Sequence, residues 1–314
     1  MDKEHSFTFV DLFAGIGGLR IAFEHCGGEC IFSSEWDKFA QQTYQANFGV
    51  VPHGDITKVS IKEIPDHDVL LAGFPCQPFS HAGLKGGFTD TRGTLFFDVV
   101  RILKAKKPSL ALLENVKGLK NHDNGRTFRV LEQSLDRIGY DIFAKVLNAS
   151  DFGLPQNRER VFIVCLNREK VKSRNFEFPA PPRTKTRVGD ILQRRVNKKY
   201  VISDKLWSGH KRRLKNHQAN GNGFGYRIFT SESTKTSTIS ARYYKDGSEI
   251  LIATSGNPRK ITPREAARLQ GFPETFQIPV SDTQAYKQFG NSVAINVATA
   301  LAEEMASILQ GENS

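Results

Sequence analysis

Four cysteines, Cys26, Cys30, Cys76 and Cys165, in 314 residues are too few to staple a secreted fold, and a reducing compartment would keep them as thiols. No apolar run approaches the ~18 residues of a membrane span. The opening MDKEHSFTFV passes from charge straight into a strand-like run, without the apolar core of a signal peptide. A cytoplasmic protein with no membrane partner is therefore expected. None of the eight histidines begins a His-x-Glu pair, and Cys76 has Phe79 where a Cys-x-x-Cys pair needs its second thiol, so the zinc deaminase signature is missing. Cys26-x-x-x-Cys30 beside His25 lacks a second ligand pair, and no metal is expected. Internal repeats and low-complexity tracts are absent, which excludes solenoids and disordered arrays.

What the chain does have is positive charge, placed unevenly. The formal net charge is +11, and residues 181–280 alone hold 20 Lys+Arg against 7 Asp+Glu. A near-neutral remainder beside one basic third is the distribution that a phosphate-backbone clamp requires, and it points to nucleic acid.

From 7 to 165 short apolar or β-branched runs alternate with amphipathic ones: FTFVDLF, a helix near 17–26, CIFSSE, a helix near 37–47, DVLLAGF, LFFDVVRILK, LALLENV, a helix near 124–138, DIFAKVLNAS and RERVFIVCL. This order predicts an α/β fold with a mainly parallel sheet and ligand sites beyond the carboxyl ends of its strands. After Phe178 the proline-rich PAPPR breaks the pattern, and the following text is basic, polar and poor in helical periodicity. Helix returns at TPREAARLQ, with Thr262 as N-cap and Pro263 at the first helical position, and again from about 292 to the end. The expected organisation is a first domain of 1–178, completed by 282–314, and a smaller, mostly β and loop domain of 179–281.

Several strand ends carry candidate chemistry. Asp11-Leu-Phe-Ala-Gly15-Ile-Gly17-Gly18 reads as strand, glycine turn and helix, and Glu35 stands twenty positions after Gly15, where an acid can hold a ribose hydroxyl. The Gly-x-Gly-Gly form lacks the spacing for a pyrophosphate, so a nucleoside ligand without phosphates fits better. Asp55, read as ending a third strand, could accept from an adenine amino group. Cys76, between Pro75 and Pro78, sits at a loop apex after DVLLAG, and Gly83, Gly86, Gly87 and Gly93 make the next stretch a flexible segment. Glu114 and Asn115 end another strand. Arg158 and Arg160, two apart on an extended segment, would point to one face and reach one anionic or carbonyl group together.

The order of these pieces, with Arg268-Leu-Gln-Gly-Phe-Pro273 and Gln288-Phe-Gly-Asn291-Ser292-Val, resembles the bacterial cytosine-C5 DNA methyltransferase family over nearly the whole chain. The resemblance implies a Rossmann-like methyltransferase domain that uses S-adenosylmethionine and releases S-adenosylhomocysteine. It assigns Phe13, Gly15, Gly17, Gly18, Glu35, Trp36, Asp55, Ile56, Pro75, Leu95, Asn291 and Ser292 to the cofactor. Cys76 becomes the nucleophile that adds to cytosine C6, with Glu114, Asn115, Arg158 and Arg160 around the flipped base and loop 79–94 as a lid. Gln77 and Ser80 are assigned to DNA. So are Arg242, Tyr243, Tyr244 and Lys245, in a segment of glycine loops and short strands similar to relatives that act at CCGG, CCWGG or CCNGG sites. The implied partner is double-stranded DNA, acted on by a monomer on the bacterial nucleoid, with a restriction endonuclease sharing the site without contact. A transfer-RNA methyltransferase on the same scaffold and a catalytically silent DNA-binding relative are the alternatives.

Overall fold

Strands with unbroken apolar runs form where both faces of a sheet are covered. A computed structural model, which describes residues 6–75, 95–182, 184–221 and 225–312, places β1 (Phe7–Leu12), β2 (Gly28–Ser34), β3 (Val69–Ala72), β4 (Leu110–Val116), β5 (Tyr140–Asn148) and β6 (Glu159–Asn167) in one sheet of order β2-β1-β3-β4-β6-β5. β1 pairs in parallel with β2 and β3, and β3 with β4, so all four carboxyl ends lie on one edge. β6 runs antiparallel to β4, which brings its amino end to that same edge, with Val116 opposite Arg160.

Helices α1 (Gly18–His25), α2 (Lys38–Phe48), α3 (Leu95–Lys106) and α4 (Arg126–Arg137) follow the strands as the periodicity predicts. Val99, Ile102 and Leu103 of α3, with Phe128, Leu131 and Leu135 of α4, bury a helical stripe in the core that includes Leu70, Leu113, Ile163 and Cys165. Complete burial pushes the Cys165 thiol far up, and it packs as an inert apolar group.

The chain divides into two units, 1–147 with 159–180 and 297–314, and 148–158 with 181–296. The break near 180 falls within the proline-rich stretch. Segments 148–158 and 282–296, which the sequence had placed in the first domain, instead group with the second. The second unit holds α5 (Asp204–Ala219), a small sheet of order β7-β8-β9 (Ile228–Phe229, Leu251–Ile252, Arg259–Lys260), α6 (Pro263–Leu269) and α7 (Asp282–Asn291). Thr262 caps α6 in a reciprocal box with Glu265, and Pro263 opens it, as expected. The 16-residue α5 differs from the expected β and loop character of this region, because its polar faces mask its helical period.

Helix α8 (Ile295–Glu312) ends the described chain. Together α7 and α8 form one stretch, Asp282–Gly311, long and apolar enough by composition to cross a membrane, contrary to the reading that no run qualified. It is broken after Asn291, and Phe289, Val297, Ala298, Leu301 and Met305 are buried within the protein, as in core helices.

Candidate active site

The carboxyl edge of the first unit is shaped by a turn that few residues can make. Phe13 (φ 55°), Gly15 (φ 56°) and Gly17 (φ 83°) all adopt left-handed backbone, and a Cβ on Gly17 would lie 2.3 Å from the Phe48 ring. Ala14 N–H donates to Ser34 O at 2.9 Å, tying the turn to the end of β2. Glu35 follows directly: its Oε2 accepts from Gly15 N–H and its Oε1 from Asp37 N–H, both at 2.8 Å. Burial raises the Glu35 carboxyl above its ordinary range, while the Asp37 and Gly15 N–H bonds oppose the rise. Beside this buried acid, Trp36 projects with 79% of its surface exposed.

Asp55 does not end a strand. It caps a short 3₁₀ turn (Ile56–Lys58), with Oδ1 accepting from Thr57 N–H at 3.1 Å and Thr57 Oγ1 at 2.8 Å; the Thr57 hydroxyl is the main cause holding the carboxyl below its ordinary value. Arg101 of α3 fixes the same turn by donating to Ile56 O and Val59 O. Ile56 is buried, Pro75 is exposed and Leu95, first residue of α3, is half-buried.

The second half of the edge is built by register. Glu114 lies opposite Phe162 and Val116 opposite Arg160, so Glu114 and Arg160 are diagonal neighbours on one face. Arg160 Nε lies 3.2 Å from Glu114 Oε1, and Glu114 is 9% exposed. Burial lowers the Arg160 guanidinium from its ordinary range and the Glu114 charge opposes that. Glu114 Oε2 is 3.8 Å from where a Cβ on Gly73 would sit, so the carboxyl borders Gly73-Phe74-Pro75. Asn115 turns to the opposite face, as alternation demands. Its Nδ2 donates to Phe74 O at 2.8 Å, so it fixes the loop after β3 rather than Glu114. Cys76, Gln77, Ser80 and loop 79–94 lie outside the described residues.

Arg158 requires a correction. It does not share a target with Arg160: its guanidinium is 2% exposed and donates to Ile239 O (3.2 Å), Gly290 O (3.0 Å) and Ser292 O (2.6 Å), all within the second unit. It precedes β6, where strand alternation no longer aligns it with Arg160. Gln156 works in the same way, donating to Leu269 O and accepting from Ile239 N–H. Gly290 completes the fastening, since a Cβ there would lie 2.4 Å from the Ser240–Ala241 backbone. These contacts carried no signal beyond the motifs themselves.

Tyr243 is the second correction. It is wholly buried, donates to Ile250 O at 2.7 Å and accepts from Ile261 N–H at 2.9 Å, so it is a core tyrosine, not a DNA contact. Residues 241–246 form turns instead of a strand, with Arg242 and Lys245 exposed and Tyr244 half-buried under Lys287. Asn291, exposed, and Ser292, half-buried, end α7 in the second unit.

A glycine turn with a buried acid and an exposed indole, on the same sheet edge as a buried carboxyl–guanidinium pair, makes a nucleoside-type site on a Rossmann-like α/β sheet. Two solved structures share the architecture: a Schizosaccharomyces pombe Dnmt2 methyltransferase (TM-score 0.78, 20% identity, covering 98% of this chain and 100% of that one) and an Entamoeba histolytica methyltransferase, EhMeth (TM-score 0.77, 21% identity, 98% of each). At such identities they show the fold alone. In sequence, the chain is 60% identical over 306 residues to the type II methyltransferase M.SsoII of Shigella sonnei, covering 96% of this chain and 81% of that one. It is also 60% identical over 307 residues to M.NlaX of Neisseria lactamica, covering 96% and 97%. The model of the C-5 cytosine-specific DNA methylases matches residues 7–307, and the chain belongs to that family.

Proposed function

We propose that this DNA cytosine-C5 methyltransferase presents S-adenosylmethionine and a flipped cytosine to each other along the carboxyl edge of its sheet, at a short CC…GG palindrome. The observation that carries the reading is the Glu114–Arg160 pair, held on one face of the sheet by neighbouring strands beside the loop that leads to Cys76.

The cofactor fits the residues present. Left-handed Gly15 and Gly17 leave a backbone without phosphate spacing, buried Glu35 offers carboxylate oxygens for ribose hydroxyls, and exposed Trp36 with Phe13 offers rings for adenine. Asp55 and Ile56 lie on the pinned turn for the adenine edge, with Pro75 and Leu95 as apolar lining. When bound, the sulfonium supplies an electrophilic methyl carbon.

Cytosine C5 is a weak nucleophile until C6 carries an adduct. Cys76 provides that adduct as thiolate. Glu114 shares a proton with the base N3 and so stabilises charge that develops on the ring as the C6–S bond forms. Arg160 orients Glu114 through Nε, its Nη1 donates to Glu159 O, and its Nη2 is left to meet the base carbonyl. Loss of the C5 proton and departure of Cys76 then restore the aromatic ring. Arg242 and Lys245, displayed by the 241–246 turn, read guanine O6 and N7 in the major groove.

Transfer of labelled methyl groups to paired duplexes tests this. A duplex carrying CCGG, CCWGG or CCNGG should accept label, and one without CC should not. Equal labelling of both would remove the site assignment, and labelling of transfer RNA in place of DNA would remove the substrate.

A further inference from the structure

Helix α5 carries cations in a pattern that neither its packing nor the proposed chemistry uses. One face is anchored inside the second unit. Trp207 stacks edge-on against Tyr226 at 4.6 Å, His210 is buried with Nε2 3.3 Å from Asp246 O, and Leu214 packs so closely on Gly225 that a Cβ there would be 2.4 Å from it. Arg213 is drawn to the side by Asp246 at 2.8 Å. The opposite arc carries Lys205, Arg212 and Lys215, all exposed, at spacings of seven and three residues that keep them in one stripe about 15 Å long. Among the described residues, none of the three has an ion-pair partner within 4.0 Å. Lys211 flanks the stripe, with its Nζ over the Trp207 ring. The one acid of α5, Asp204 in its first turn, accepts from Asn257 Nδ2.

Three cations without carboxylate partners, on a helix fixed along its other side, present fixed positive charge to solvent. Soluble helices usually intersperse acids on such a face. Asp246, which anchors α5 through Arg213, belongs to the same 241–246 turn that displays Arg242 and Lys245. The stripe and the turn therefore share one mounting.

We infer that the outer stripe of α5, Lys205, Arg212 and Lys215, binds the phosphate backbone of duplex DNA flanking the target site, and so supplies affinity and register but no sequence preference. The inference rests on the reading of the chain as a duplex-DNA methyltransferase. Phosphate contacts release counterions, at about 0.9 per contact in the slope of log K against log salt for duplex DNA.

The test is that slope for the full chain, measured on a 30-base-pair duplex with the methylated motif and on an unrelated duplex of the same length. K205Q/R212Q/K215Q should flatten it by about 2.7 on both duplexes and leave their affinity ratio within about twofold. K104Q/K107Q/K170Q, an equal charge loss on the first unit, should flatten it by less than about 0.5. The charge-conserving K205R/R212K/K215R should restore the wild-type slope, which separates phosphate binding from damage to the helix. Equal flattening by the two glutamine sets, or a wild-type slope in the α5 set, would overturn the inference. Methyl transfer by the wild type is scored in parallel: failure of duplex methylation removes the underlying reading, whereas methylation with an unmoved slope removes the role of α5 alone.

Discussion

Replacing Arg158 should destabilise the protein before it alters the chemistry. Its guanidinium, 2% exposed, donates to three carbonyls drawn from two separate stretches, Ile239 and the Gly290–Ser292 end of α7. Hydrogen bonds from a charged donor contribute about 1.5–3 kcal/mol each, and they are not additive here, because all three share one group. Arg158→Gln keeps a polar head but cannot span the three oxygens, leaving at least two buried carbonyls unmet at about 1–3 kcal/mol each and a loss of about 4 kcal/mol in all. In a chain of 314 residues that lowers the melting temperature by roughly 6 °C. Arg158→Lys, with a compact ammonium in place of a planar fork, should recover only part of the loss. Thermal melts followed by circular dichroism, with methyl transfer measured well below the new midpoint, make the comparison. A variant that melts like the wild type yet transfers methyl groups a hundredfold more slowly would refute the reasoning and return Arg158 to the reaction.

Glu114→Gln should keep the fold and lower the turnover number by about 10²-fold or more, because a neutral amide cannot hold the proton that the developing ring charge requires; single-turnover kinetics would show this, and wild-type rates would remove Glu114 from the mechanism. Trp36→Ala should weaken S-adenosylmethionine binding by roughly two- to tenfold in calorimetry, given ring stacking worth about 0.5–1.5 kcal/mol, with the melting temperature unchanged because the indole is exposed. Asp11 has both carboxylate oxygens buried without a hydrogen-bond partner among the described residues, and burial pushes its pKa from 3.8 up to about 8, against the pull of Arg20. The folded chain then holds a proton that the unfolded chain releases, so stability falls as pH rises from about 4 to 8 and levels off above. Asp11→Asn should remove that slope and gain a few kcal/mol at pH 8, a difference that urea titrations at pH 5 and pH 8 would expose; parallel curves for variant and wild type would contradict it.

The first unit was largely legible because its signals are local. Apolar runs such as VLLA and LALLEN announce buried strands, and a glycine turn ending β1 requires left-handed backbone that the sequence supplies at Gly15 and Gly17. Alternation explains both success and failure in the site. Arg160 falls beside Glu114 because β6 is a regular strand from Glu159 onward, while Arg158, one residue before it, escapes that rule and turns to distant carbonyls. Tyr243 could not be told from an exposed aromatic, since its partners, Ile250 and Ile261, are set by tertiary packing. Asp55 was misplaced because Asp and the following Thr favour a capped turn as readily as a strand end. Helix α5 was hidden by its own polarity: with His210 its sole buried residue, it offers almost no apolar stripe.

The most direct test of the account is bisulfite sequencing of DNA from a methylation-free bacterial host that expresses this chain, beside a Cys76→Ser control. Protected cytosines should be confined to one short CC…GG motif with the wild type, and the control should show none. Protection that persists in the control would contradict the covalent route through Cys76, and no protection from a folded chain that binds S-adenosylmethionine would contradict duplex DNA as its substrate.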